Sequence, residues 1–582
     1  MLLRLLRRHL RHYRRDVVGV VVLQVVATIA ALLLPSLNAD IIDEGVVAGD
    51  TGYIVRTGGV MLAITAVQVA TSIAAVYLGA RTAMAIGRDL RASVFDRVQR
   101  FSLAEMGGFG APSLITRSTN DVQQVQMVTL LTFTIMVMAP IMMVGGVIMA
   151  LRQDVALSGL LLVAIPLLAI VLGFAIVRMR PLFRQIQKRV DAINLVLREQ
   201  LSGVRVIRSF NRQASERERF AGANADLMRT AIAVGRLMAL LFPAVQLIIN
   251  ASSVAVIWFG AGRIDAGQME VGSLVAFLNY LMQILMSVLM AVMMFMLVPR
   301  AEVSAERIDA VLAVRPQIAA PDEPVPLPAP PAGRRGLPIE LDGASFGYAG
   351  ADEPVLCEVS LRIEPGRTTA VIGATGSGKT TLVNLIPRLT DVTSGAVRIG
   401  GVDVRDLDPA ALRSRVCLVP QKAYLFSGTV RSALRLGRPD ATDAELWQAL
   451  EVAQARDFVE ALPQGLDAPV EQGGSNFSGG QRQRLAIARA LVRQGDVYLF
   501  DDAFSALDYA TDAALRAALP QATAGAAVLI VAQRVATIRD AHQIVVLDNG
   551  RIVGVGTHTE LMETCETYSE IVLSQLSAQE AA

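Results

Sequence analysis

The sequence predicts an α-helical six-span transmembrane domain followed by an α/β P-loop nucleotide-binding domain. Three observations carry this prediction. The first half holds six stretches without a single charged side chain, each long enough to cross a bilayer as a helix. A proline-rich segment closes that half. Beyond it, short Val/Ile/Leu strands alternate with helices around a GxxxxGK[ST] element.

At 582 residues the chain is too long for one ordinary core. It is 53% hydrophobic and 18% charged, with a mean hydropathy of +0.47. That composition excludes a disordered chain and argues against an all-soluble one. A formal net charge of +2 gives no footprint for nucleic acid, and no nucleic-acid partner is expected. Cys357, Cys417 and Cys565 are far apart and form no CxxC pair, so neither a zinc site nor a disulfide framework is indicated. They are read as reduced thiols on a cytosolic domain.

The uncharged stretches are 17–39, 57–80, 128–151, 155–177, 237–262 and 271–298. An even number of spans puts both ends of this half on one side. Arg4, Arg7, Arg8, Arg11, Arg14 and Arg15 precede the first span, and the long connections 81–127 and 178–236 are also Arg-rich. The connection 40–56 instead carries Asp40, Asp43, Glu44 and Asp50 against Arg56. The positive-inside rule therefore places both termini and the long connections in the cytoplasm, with the chain in the inner (plasma) membrane. Residues 1–15 alternate Leu and Arg in a helical sense, as an amphipathic helix on the inner membrane face would. A signal peptide is the poorer reading, because 17–39 is too long for its apolar region and no small-x-small cleavage site follows.

Segments 84–106 and 181–202 keep a helical mixture of apolar and charged residues, so the spans are expected to continue into the cytoplasm. Each pair of extensions would turn near 109–112 and near 210–215, giving tips on which a cytosolic domain could dock. The membrane domain is assigned to 1–315. Residues 316–338 hold eight prolines and form the linker. The nucleotide-binding domain spans 339–576.

Gly373, Ala374, Thr375, Gly376, Ser377, Gly378, Lys379 and Thr380 fit the P-loop pattern at every fixed position. The motif follows an apolar strand, 369–372, and opens a helix at Thr381. The glycines let backbone N–H groups surround phosphate oxygens, and the helix N-terminus adds a favourable dipole. Lys379 would reach the β- and γ-phosphates of ATP, and Thr380 would offer its hydroxyl to Mg²⁺. A second apolar strand, 497–500, ends in Asp501, a carboxylate suited to holding that Mg²⁺.

Two further elements narrow the class. Phe477, Ser478, Gly479, Gly480 and Gln481 precede a helical run, and Ser505-Ala506-Leu507-Asp508 follows Asp501. Here the chain resembles the ATP-binding cassette (ABC) family over its whole length. Residues 477–481 are close to the LSGGQ signature, with Phe for the first Leu. Six spans before one cassette resemble the exporter-type half-transporter. The resemblance implies that Tyr348 stacks on adenine and that Gln421 is the Q-loop glutamine, touching Mg²⁺ and facing the membrane domain. It implies an X-loop at 471–474 and a D-loop aspartate at Asp508. In this family two cassettes close head to tail. Phe477, Ser478, Gly479, Gly480, Gln481 and Asp508 would therefore serve ATP bound to the partner chain.

Two positions depart from the family pattern. Where the family has a Glu that polarises water, this chain has Asp502, and where it has a switch His, this chain has Gln533. Asp is one methylene shorter than Glu, and a misplacement of ~1 Å costs roughly 10²-fold in rate. A weak hydrolytic half with a nearly intact signature suits a heterodimer, with a second half-transporter supplying Glu and His. Hydrolysis would then occur mainly at the composite site that uses this chain's signature. A slow homodimer is the alternative assembly.

The spans carry few ionisable groups, and the sixth is rich in methionine: Met282, Met286, Met290, Met293, Met294 and Met296. Such a surface suits a small amphipathic or lipophilic substrate, although packing between helices explains any single Met as well. The resemblance implies alternating access and outward movement. A siderophore-type importer on the same fold and an ATP-regulated channel or regulatory subunit are the alternatives.

Overall fold

The computed structural model describes residues 1–330, 335–348 and 350–575; the side chains of Phe295 and Met296 also lie outside the described set. The expected linker is thus described except at 331–334, and of the methionines in the sixth span the Met296 side chain is not covered. The chain divides into two compact units. One comprises Met1–Val98 and Pro112–Val314, the other Gln99–Ala111 and the chain from Arg315 onward.

The first unit is built from six long helices: α1 Leu2–Val47, α2 Thr51–Gln99, α3 Ala111–Gln153, α4 Val155–Ser202, α5 Gln213–Asp265 and α6 Val271–Ala313. Each contains a window long and apolar enough to span a membrane. Each is also far longer than its uncharged stretch, reaching 53 residues in α5, because Arg- and Glu-bearing turns continue the helix past the apolar part. The first turns of α1 bury Leu2, Leu5 and Leu6 while Arg4, Arg7 and Arg8 stay exposed.

Helix α6 supplies much of this unit's core. Phe277, Tyr280, Leu281 and Ile284 are fully buried. The Tyr280 hydroxyl donates to Leu32 O at 2.8 Å, so a buried phenol is satisfied by α1. Gly146 of α3 admits Ile284 closely; a Cβ there would lie 2.8 Å from Ile284 Cγ1. Asp121, at the end of a π-turn in α3, is buried and accepts from Ser304 Oγ of α6 at 2.9 Å. Asp154 caps the start of α4 and pairs with Arg263 of α5 at 2.8 Å.

The chain turns where expected, at Gly110 and at Phe210–Arg212, and a short helix precedes each turn. The first is a short helix, Leu103–Phe109, begun by a Ser102/Glu105 capping box and closed by Phe101 stacked on Phe109. It ends at Gly110, whose φ of 73° stops the helix. Residues 1–315 were expected to form one domain, but Gln99–Ala111 groups with the second unit, where Glu105 accepts from the backbone N–H of Gln317 at 2.9 Å. The second tip is the helix Val204–Ser209, starting where Gly203 closes α4.

Among the described residues, the second unit has three sheets. The antiparallel sheet is β1 Ile339–Phe346, β2 Leu356–Ile363, β4 Ser394–Ile399 and β5 Val402–Asp403, in the order β2-β1-β4-β5. The central sheet adds β3 Thr368–Ile372, β6 Val416–Val419, β9 Val497–Asp501, β10 Ala527–Val531, β11 Gln543–Asp548 and β12 Arg551–Gly556, in the order β12-β11-β3-β10-β9-β6. A two-residue pair, β7 Gly428–Thr429 with β8 Pro469–Val470, completes the set. Every residue of β9 and β10 is buried, as expected for parallel strands covered on both faces.

Candidate ATP site

Strand register builds the site. Val371 of β3 pairs with Val531 of β10, which pairs with Asp501 of β9. The carboxyl ends of three neighbouring strands are therefore level, and the residues that follow each open into one crevice, the usual ligand position in a parallel α/β sheet. After β3 comes the P-loop and helix α7 Lys379–Leu385. After β9 comes Asp502, after β10 Gln533, and after β6 Gln421.

A cavity of about 240 Å³ is lined by Thr375, Gly376, Gly378, Lys379, Thr380 and Thr381 on one side. Gln421, Asp501, Asp502 and Gln533 close the other. Gly373 is obligatory, because a Cβ there would lie 2.0 Å from Leu547 O. Gly378 has φ of 100°, and its missing Cβ would meet Leu356 at 2.7 Å. Lys379 Nζ sits within the loop, donating to Gly373 O at 2.9 Å and Ala374 O at 2.7 Å. Burial pulls this ammonium below the usual lysine range, while Asp502 and Asp501 oppose the shift.

Thr380 Oγ1 donates to Asp501 Oδ1 at 3.1 Å. Burial raises the Asp501 carboxyl above the ordinary Asp range, partly offset by the Thr380 hydroxyl. A hydroxyl and one carboxylate at the mouth of a phosphate-sized cradle fit Mg²⁺, which takes few protein ligands and relies on phosphate and water for the rest. The residues present thus fit Mg·ATP.

Asp502 has φ of 48°, a left-handed conformation that Asp tolerates better than most residues. Its N–H donates to Val531 O at 2.9 Å. Its Oδ2 accepts two amide donors, Gln421 Nε2 at 3.1 Å and Gln533 Nε2 at 3.0 Å. Tyr348 stands beside the loop, half exposed, its ring edge-on to Phe346 at 5.0 Å and its hydroxyl 3.4 Å from Thr381 Oγ1.

The signature residues lie apart from this cavity. Ser478 caps helix α8 Gly479–Arg493 through a capping box with Gln481. Ser478 and Gly479 are exposed, whereas Phe477 is buried against Phe458. Phe477 thus fills its own domain's core. Gly480 lies against the D-loop backbone, with room of only 3.1 Å between a Cβ and Ala506 O. Asp508 caps helix α9 Tyr509–Ala522 by accepting from Thr511 N at 3.0 Å, and bonds from Thr511 hold its carboxyl below the usual range. In the X-loop, Glu471 accepts from Ser475 Oγ at 2.8 Å.

Two residues at the site carry no motif signal. Val355 lines the cavity from the turn before β2. Gln483, buried in α8, donates to Pro420 O at 3.3 Å and so ties the signature helix to the segment carrying Gln421. Its position inside the polar run after the signature was the available cue.

Residues 17–288 match the ABC transporter transmembrane region, and residues 356–505 match the ABC transporter domain. An uncharacterized ABC transporter ATP-binding protein of Mycobacterium tuberculosis is 53% identical over 578 residues, covering 99% of this chain and 98% of that protein. The chain belongs to the ABC transporter family. A fatty acid ABC transporter ATP-binding/permease protein of Mycobacterium bovis is 33% identical over 488 residues, covering 83% of this chain and 75% of that protein. The fold is shared with a bacterial Atm1-family ABC exporter solved with ATP bound, at a TM-score of 0.79 and 24% identity over 97% of this chain and 99% of that one. This ABC transporter is a multi-pass membrane protein and an exporter-type half-transporter, with six membrane helices before one ATP-binding cassette. ATP hydrolysis coupled to transport is the activity of its cassette domain.

Proposed function

We propose that the chain is one half of a heterodimeric exporter, contributing a slow ATP site and a working signature. One observation carries this reading: the carboxylate at the water-activating position, Asp502, is short and already accepts two glutamine amides on Oδ2. A base that must take a proton from water needs a free lone pair directed at that water. Here Gln421 and Gln533 occupy Oδ2 and leave only Oδ1 for water, and the missing methylene withdraws the carboxylate further. Gln533 keeps a donor for a phosphate oxygen and supplies no imidazole.

The division of labour follows from residue chemistry. The P-loop amides and Lys379 hold the phosphates, and Tyr348 offers a face to adenine. Thr380, Asp501 and Gln421 would hold Mg²⁺, which would supply positive charge to neutralise the transferred phosphoryl group. Ser478 and the exposed Gly479 present the α8 N-terminus to ATP on a partner cassette, where a Glu and a His of the partner complete hydrolysis. Closure of the two cassettes passes through the tips Leu103–Phe109 and Val204–Ser209 to the helices, and cargo moves outward by alternating access. The Arg-rich connections support a cassette on the cytoplasmic side of the inner membrane.

The cargo is amphipathic or lipophilic. On α6, Asn279, Met282, Met286, Met290 and Met293 recur at helical spacing and are all exposed within this chain, whereas Met294 is buried. An adaptable thioether stripe with one amide suits such compounds. The fatty acid transporter named above is in keeping with this class.

The test is ATP hydrolysis by the purified chain alone and then mixed with a candidate partner half-transporter from the same cell. Activity that appears only in the mixture supports the heterodimer. Robust activity of the chain alone favours the homodimer.

A further inference from the structure

We propose that Gln575 is a positioning residue for the ATP site, acting through Gln533; this rests on the reading that Gln533 meets the terminal phosphate. Gln575 closes helix α10 Glu566–Gln575, which is pinned to the cassette by the fully buried Tyr568 and Val572. The His558 ring nitrogen Nδ1 lies 2.8 Å from the Tyr568 hydroxyl and fixes that anchor.

From this anchored helix one side-chain amide grips the switch segment twice. Gln575 Nε2 donates to Gln533 O at 2.8 Å, and Gln575 Oε1 accepts from Val535 N at 2.9 Å. The two bonds bracket Arg534 in the way a neighbouring strand would. Val535 is fully buried and begins the short helix Val535–Ile538.

The side chains between these bonds reach elsewhere. Arg534 lies over the Tyr509 ring at 5.1 Å, and Gln533 Nε2 reaches Asp502 at 3.0 Å. Among the described residues, the hydrogen bonds on the Gln533 carbonyl and the Val535 N–H come from this one amide, while Arg534 donates from its side chain to Ser505 O at 3.4 Å. Catalytic and binding geometry tolerates displacements of only about 0.5 Å. Loss of the Gln575 grip therefore frees the Gln533 side chain to leave Asp502 and the phosphate cavity. An element some forty residues downstream thereby sets the position of the switch.

The experiment measures Mg²⁺-dependent binding of mant-ATP and mant-ADP to the purified full-length chain in detergent. Gln575→Ala should lower the preference for mant-ATP over mant-ADP roughly three- to tenfold, in the lower part of the range of coupling between residues in one network, with mant-ADP affinity unchanged. In a Gln533→Ala background the same substitution should have no further effect. Gln575→Glu keeps the acceptor for Val535 N–H and should restore part of the preference. Thermal melting of each variant separates a repositioned switch from an unfolded cassette. An unchanged preference in Gln575→Ala, where Gln533→Ala does reduce it, overturns the positioning role alone. An equal loss in both backgrounds also overturns it. An unchanged preference in Gln533→Ala removes the phosphate-facing reading of the switch and this inference with it.

Discussion

Gln533 Nε2 donates to Asp502 Oδ2 at 3.0 Å, so the two positions at which this chain departs from the ABC pattern are in direct contact. A Glu and a His in these places would put the carboxylate one methylene farther out and an imidazole beside it. The substitutions belong together, because each removes what the other would need. An extended carboxylate without the imidazole, or an imidazole beside a withdrawn carboxylate, restores only half of the pair.

Reversal of both should therefore be more than additive. Asp502→Glu with Gln533→His should raise steady-state phosphate release by the purified chain by roughly 10²-fold, the scale of a ~1 Å correction. Each single change should give much less. The signature is already present in a second copy of the same chain, so the double variant needs no other partner.

Asp501 gives a pH signature. Burial raises its folded pKa above the unfolded value, so the folded chain holds this proton more tightly. Between the two values, stability falls as pH rises, and at neutral pH the ionised carboxylate costs stability. Asp501→Asn should raise the melting temperature without nucleotide at pH 7, by about 2–4 °C per kcal/mol released in a domain of this size. It should also abolish the Mg²⁺ dependence of ATP binding. In the unsubstituted chain, Mg·ATP affinity should fall on acidification from a pH above the ordinary Asp range, read by titration from pH 7 downward.

Two glycines should separate folding from function. Gly373→Ala puts a Cβ 2.0 Å from Leu547 O, so β11 and the P-loop cannot both keep their places. Nucleotide binding should be lost and the cassette destabilised by about 1–3 kcal/mol or more, the scale of overpacking. Gly479→Ala meets nothing within 4 Å. Its melting temperature should be unchanged within the ±0.5 kcal/mol typical of surface positions. On the proposed composite site, its effect should appear only in turnover at the partner's site.

How much was legible in the sequence depended on the range of the signal. The six membrane helices were legible because a charge-free stretch is itself the physical requirement for crossing lipid. The P-loop was legible because its glycines answer to local backbone geometry, as at Gly373 and Gly378. The turn near 109–112 was legible and falls at Gly110, whereas the short helix Leu103–Phe109 before it, begun by the Ser102/Glu105 capping box, was not. Asp502, Gln421 and Gln533 could each be named, but not their shared hydrogen bonds, since three strand ends far apart in sequence converge there. Val355 and Gln575 gave no sign at all. One lines the cavity and the other grips a backbone, and neither role requires a distinctive residue type in a motif.

The most direct test of the central claim is to compare Asp502→Asn with Ser478→Ala in the reconstituted two-chain transporter, by ATP turnover. The account predicts that Asp502→Asn retains most activity and Ser478→Ala abolishes it, while loss of the Ser478 cap costs only about 1 kcal/mol of stability. Abolition by Asp502→Asn, with Ser478→Ala active, would contradict it and make Asp502 the working base.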